Sequence, residues 1–174
     1  MARGVTTRKN KKTATRAVTA RERTVPKKTI SIAFAEELIQ ATWTESAKLG
    51  RNTVIAVCDE SGVLKAFRRA DDSHVRSVGL AITKARSAAG FQSPTHSVYN
   101  LLKGDEQGLM GVAALEDYTF LGGGYPIIVN KTVIGGIGVS GAQSSQEDID
   151  LIVAAFKKLG LQTKIGTFGG PPKD

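Results

Sequence analysis

Apolar and polar positions along this chain follow two rhythms, one close to 3.6 residues and one of extended runs, and they change over several times between Phe34 and Leu159. Over residues 34–49, Ala35, Leu38, Ile39, Thr42 and Trp43 recur at helical spacing and Gly50 closes the segment, which predicts an amphipathic helix. Residues 53–59 (TVIAVCD) form a continuous β-branched run, and after a short ESG turn residues 63–67 (VLKAF) form another. Two such runs around a Gly-containing turn predict a β-hairpin. Val75, Val78, Ile82, Ala85 and Ala89 then mark one face of a second helix, with Asp72 or Ser73 expected as its cap. Gly79, Ala81 and Ala88 keep much of the remaining surface of that helix small.

Pro94 interrupts the pattern, and residues 95–103 (THSVYNLLK) predict a short third helix. Residues 104–121 show no clean period and read as part loop, part short helix or edge strand. Residues 125–130 (YPIIVN) and 132–140 (TVIGGIGVS) are extended runs again, joined by a tight Asn130-Lys131 turn, hence a second hairpin. A last helix over residues 146–159 carries Ile149, Ile152, Val153 and Phe156 on one stripe. Ser144 or Ser145 can cap it, and Glu147 and Asp148 in its first turn complement the helix dipole. Hairpins interspersed with helices, in the order α-β-β-α-α-β-β-α, predict an α+β domain built on an antiparallel sheet.

Charge divides the chain. Of the net +8 over 174 residues, residues 1–28 hold ten Lys/Arg against one Glu, and the remainder has 14 Lys/Arg against 15 Asp/Glu. The globular part, residues 29–161, therefore lacks the basic footprint of a nucleic-acid-binding domain. The arm has too few apolar residues to fold alone, which makes it an expected disordered segment, as does fraying for residues 162–174. A solubilising arm, an organelle transit peptide and a nucleic-acid-binding arm all fit its composition. No stretch approaches a membrane span and no apolar signal core is present, so the expected location is cytoplasmic. Cys58 is the only cysteine, and His74 and His96 are the only histidines, which excludes intramolecular disulfides and Cys-cluster metal sites.

Gly136, Gly138 and Gly141 spell a G-x-G-x-x-G motif. A dinucleotide fold needs that motif between a first strand and a helix of a βαβ unit. Here it lies near the chain end, with one helix and a tail after it, so the nucleotide reading fails on context. Residues 138–142 (GVSGA) lack the final glycine of a nucleophile elbow, and both histidines lie upstream of Ser140, which excludes a serine hydrolase of that kind. Glycines within a strand instead let another backbone, a helix or a flat ligand approach the sheet. Gly141 suits a left-handed turn into the last helix.

The combination of GGGYPI (122–127), a tight turn and TVIGGIGVSGAQSSQED (132–148) resembles the haem-binding, haem-degrading family typified by the GlcG and HbpS proteins. The C-terminal domain of PduO-type corrinoid adenosyltransferases belongs to the same family. VIAVCDESGVLKAFRRADD (54–72) is similar to its first hairpin, and SVGLAITKARSAAGFQSPT (77–95) to its Ala/Lys-rich helix. The resemblance spans about residues 30–160 and departs in having Asn130-Lys131 where the family usually has Asp-Gly, and in the basic arm.

What the resemblance implies is binding of haem or a related tetrapyrrole, for storage, sensing or protection, by a symmetric homo-oligomer, often an octamer. Haem requires an axial ligand and an apolar slot. His96, in SPTHSVY beside Thr95 and Tyr99, is the first candidate for haem iron, with His74 second. Gly123, Gly124 and Tyr125 are expected to line the site, and Lys84, like Arg86, either to meet propionates or to face solvent. Tyr118 and Cys58 are lesser candidates, and Asp71-Asp72 reads as helix capping rather than an acid–base pair. No standard enzymatic constellation is present. The runner-up is an enzyme or accessory protein acting on a small organic acid at a subunit interface, and a third reading is a scaffold whose arms engage nucleic acid.

Overall fold

A computed structural model describes residue 23 and residues 25–165, and the rest of the arm and of the C-terminal tail lies outside the described residues. The elements are α1 (Ile32–Lys48), β1 (Val54–Asp59), β2 (Leu64–Arg69), α2 (Val75–Phe91), α3 (Thr95–Leu102), α4 (Glu106–Ala113), β3 (Gly124–Val129), β4 (Thr132–Ser140) and α5 (Ser145–Lys158). The expected order holds, with α4 added in the segment that has no clean period. That segment contains no edge strand. Asp105 caps α4 by accepting from the Gly108 amide at 3.0 Å, yet no residue of α4 is buried, so no apolar stripe marks it in the sequence.

The four strands form one antiparallel sheet in the order β2-β1-β4-β3. Strand alternation sends Ile55 and Val57 of β1, with Ile137 and Val139 of β4, to one face. There they pack with Leu38 and Ile39 of α1 and Ile152 and Phe156 of α5. Val54, Ala56 and Cys58 face the other way, against Ala81 and Ala85 of α2. Burial drives the Cys58 thiol up to about 11, so this cysteine is an inert core residue.

On the α2 side, β4 presents Gly136 and Gly138. A Cβ on Gly136 would strike the Ala85 carbonyl oxygen, and one on Gly138 would strike the Ala81 carbonyl oxygen and approach the Ala85 amide to 2.6 Å. The glycines of the nucleotide-like motif thus admit a helix backbone onto the sheet. Gly141, at φ +113°, makes the turn into α5.

Asn130 and Lys131 both adopt positive φ, 49° and 61°, as a type I′ hairpin turn requires. Ser144 caps α5, accepting from the Glu147 amide at 3.1 Å. The cap of α2 differs from expectation. His74 occupies the N-cap without a side-chain cap bond, because the Ser73 hydroxyl donates to the Ala70 carbonyl at 2.8 Å instead. At the end of the arm Lys27 pairs with Glu60 at 3.1 Å, and just beyond it Ile30 is fully buried. At the other end Ile165 packs on the core.

If helix–sheet contact sets the fold, Gly138→Ala should lower unfolding free energy by about 3 kcal/mol, since the helix backbone must move. Gly79→Ala, on the open side of α2 with nothing within 4 Å, should leave stability unchanged or raise it by up to about 1 kcal/mol. Urea unfolding of both variants measures the contrast.

Candidate functional site

The candidate residues converge where α3 begins and the chain enters β3. Pro94 starts α3, and Thr95, fully buried, donates its hydroxyl to the Leu121 carbonyl at 2.6 Å and accepts from the Gly124 amide at 3.2 Å. One side chain therefore fastens the first turn of α3 to the glycine segment.

Each of the three glycines is pressed against a different neighbour. Positions for a Cβ lie 2.8 Å from Ile149 Cδ1 at Gly122, 2.6 Å from Asp148 Cβ at Gly123, and 2.5 Å from the Lys84 carbonyl oxygen at Gly124. Gly123 also has φ +102° and accepts from the Val139 amide at 2.8 Å. A side chain at any of the three would push the segment outward.

Tyr125 follows directly, 5% exposed, with its ring centroid 5.8 Å from that of His96 and 5.9 Å from that of Phe156. Burial, then the charge of Asp150, holds its phenol protonated above the usual range. His96 is half-buried, and its Nδ1 is sealed from solvent with no hydrogen-bond partner among the described residues. A ligand atom can therefore reach this imidazole only at Nε2, unless the ring turns. Burial also pushes the His96 pKa below its ordinary 6.5, which favours the neutral ring. Beside them Tyr99 is about half exposed and meets Phe120 edge-on at 6.3 Å.

Lys84 lies beneath this face rather than on it. Its ammonium donates to Asp148 Oδ2 at 2.7 Å and to the Val139 carbonyl at 2.8 Å, and the two side chains are 3% and 6% exposed. A propionate cannot meet an ammonium so enclosed, which corrects the expectation for Lys84. Asp148, expected only to complement the helix dipole, is its partner and also accepts from the Ala142 amide at 3.1 Å. The signal for it was spacing: Asp148 shares one stripe of α5 with Ile152 and Ala155, all buried.

His74 is exposed at the N-cap of α2, ten residues before Lys84. Tyr118 packs on Phe91, centroids 4.9 Å apart, and Arg86 binds the Gly62 carbonyl and Asp117. None of these three belongs to the cluster around His96.

The site's electrostatics give a pH dependence with a definite sign. The folded state holds His96 below its unfolded value, so between the two values it binds fewer protons. Stability should fall as pH drops through about 6.5 towards the folded midpoint, and His96→Gln should flatten that part of the curve. A ¹H–¹⁵N imidazole titration by NMR should place the His96 midpoint below 6.5.

With this geometry, known proteins give a consistent picture. Protein GlcG of Escherichia coli (strain K12) is 31% identical over 111 residues, 64% of this chain and 81% of GlcG. The crystal structure of a double mutant of Streptomyces reticuli HbpS superposes with a TM-score of 0.73 at 27% identity, over 84% of this chain and 99% of that one. A crystal structure of a PduOC–haem complex shares the fold, with a TM-score of 0.70 at 24% identity, over 78% of this chain and 98% of that one. A family model described as "Haem degrading protein HbpS-like" matches residues 30–157. The chain belongs to the HbpS-like family.

Proposed function

We propose that this protein binds haem or a related tetrapyrrole on the face formed by α3 and the 122–125 segment, with His96 as the axial ligand. The observation that carries the reading is the half-buried His96, its Nδ1 sealed and its ring set against Tyr125, in surroundings whose burial favours the neutral form. Neutral imidazole is the form that coordinates iron, and the rings of half-exposed Tyr99 and partly buried Phe120 offer apolar contact to a macrocycle, with buried Tyr125 backing His96. Bound haem would supply iron chemistry, and the residues of the chain would hold and orient it. The family description and the haem complex of the structural relative support the same ligand.

The fit has one mismatch. Coordination through Nε2 leaves a proton on the sealed Nδ1, where haem-ligating histidines usually find an acceptor. Here none of the described residues provides one. With Lys84 enclosed, its ammonium would not be the group that meets the propionates.

Self-association belongs to the same reading. Tyr99, Leu101, Met110, Leu115 and Leu121 are each roughly half exposed or more around this face, and a second copy of the chain would cover them. Among the described residues no helix is long and apolar enough to cross a membrane.

Haemin titrated into the protein should move the Soret band and saturate near one haem per subunit, or fewer if a site is shared. His96→Ala should weaken binding more than tenfold, about 1.4 kcal/mol, and alter the spectrum. His74→Ala should do neither. If both variants bind as the parent does, His96 is not the ligand, and a parent that leaves the haemin spectrum unmoved favours the small-organic-acid reading instead.

A further inference from the structure

The Lys84–Asp148 pair is a costly thing to bury. Desolvation pushes the ammonium down and the carboxyl up, each opposed by the charge of its partner. Buried pairs of this kind are often no better for stability than apolar residues of similar size. Their position then becomes the more informative property. The backbone of Val139 links the pair to the glycine segment: its carbonyl accepts from Lys84 Nζ and its amide donates to the Gly123 carbonyl. A Cβ on Gly123 would lie 2.6 Å from Asp148 Cβ and 3.1 Å from Lys84 Nζ, so the segment rests directly on the pair. The carbonyl of Lys84 and the methyl of Thr95 meet Gly124 from the other side, at 2.5 and 2.6 Å from its Cβ position.

We propose that Lys84 and Asp148 are positioning residues for the ligand face: they seat the Gly122–Gly124 segment and thereby fix the ring of Tyr125 against His96. Neither side chain touches the ligand. They act through Gly123, the backbone of Val139 and the start of β3, which makes the site a product of α2 and α5 as much as of α3. This inference rests on the haem reading given above.

The test pairs Lys84→Met with Asp148→Asn in one chain. This removes both charges and keeps an oxygen for the Ala142 amide, which now bonds Asp148 Oδ1. Circular dichroism and thermal melting establish that the double variant folds, and haemin titration gives its affinity and Soret maximum. The account predicts at least tenfold weaker binding and a displaced Soret maximum. Leu38→Ala, on α1 in the core cluster that also holds Tyr125, serves as a destabilised control that leaves Lys84, Asp148 and the Gly122–Gly124 segment intact, and should bind with the parent's spectrum.

A folded double variant with the parent's affinity and Soret maximum overturns the proposal and leaves the haem reading standing. A parent that does not bind haemin overturns both. Should the double variant fail to fold, hydrogen exchange of the parent decides: saturating haemin should slow exchange of the Val139 amide, and unchanged exchange there contradicts the coupling.

Discussion

The whole arrangement depends on how closely α2 can lie on β4. Gly136 and Gly138 remove the side chains that would hold the helix away, and Ala81, Ala85 and Ala89 answer them with a single methyl each. Close packing of this kind forfeits the large apolar contacts found on the opposite face, where Leu38, Ile152 and Phe156 meet Ile55, Ile137 and Val139. In return it brings the α2 backbone, including the Lys84 carbonyl, to the end of the sheet where β3 begins. A helix set further out would leave Gly124 without its neighbour and Lys84 too far from Asp148.

Two kinds of interaction therefore divide the labour. Bulk apolar burial between α1, α5 and the sheet supplies a deep core on one side. Where α2, α3 and α5 meet the start of β3 the contacts are short, backbone-based and polar: Thr95 to Leu121 and Gly124, Lys84 to Val139, Asp148 to Ala142. The second set contributes less to net stability per contact, but it is directional, and direction is what a ligand face needs. His96 and Tyr125 sit at its outer end, where an aromatic contact and a sealed Nδ1 fix the approach to the imidazole.

Much of this fold is legible in the chain. The β-branched runs around Gly62 and around Asn130-Lys131 announce two hairpins, and the apolar stripes announce α1, α2 and α5. Segment α4 is not legible, because a helix that buries nothing needs no periodic apolar face. The cap of α2 misleads, since Ser73 finds a backbone acceptor in Ala70 that no local pattern advertises. Within the site, Thr95, His96, Gly123, Gly124 and Tyr125 are indeed neighbours, but the enclosure of Lys84 depends on Asp148, 64 residues away in sequence. A lysine on a mostly small helix face reads as solvated until its partner is seen. Asp148 reads as a helix-dipole residue for the same reason, although its place on the buried stripe of α5 hints otherwise.

The claim at the centre of this account is that a ligand meets the chain at His96 Nε2. The most direct measurement is a crystal structure of the haemin-saturated protein with the iron located by anomalous diffraction. The account predicts iron within bonding distance of His96 Nε2, with the macrocycle against Tyr99. Iron placed at His74, at the edge of β2, or at no fixed position would contradict it.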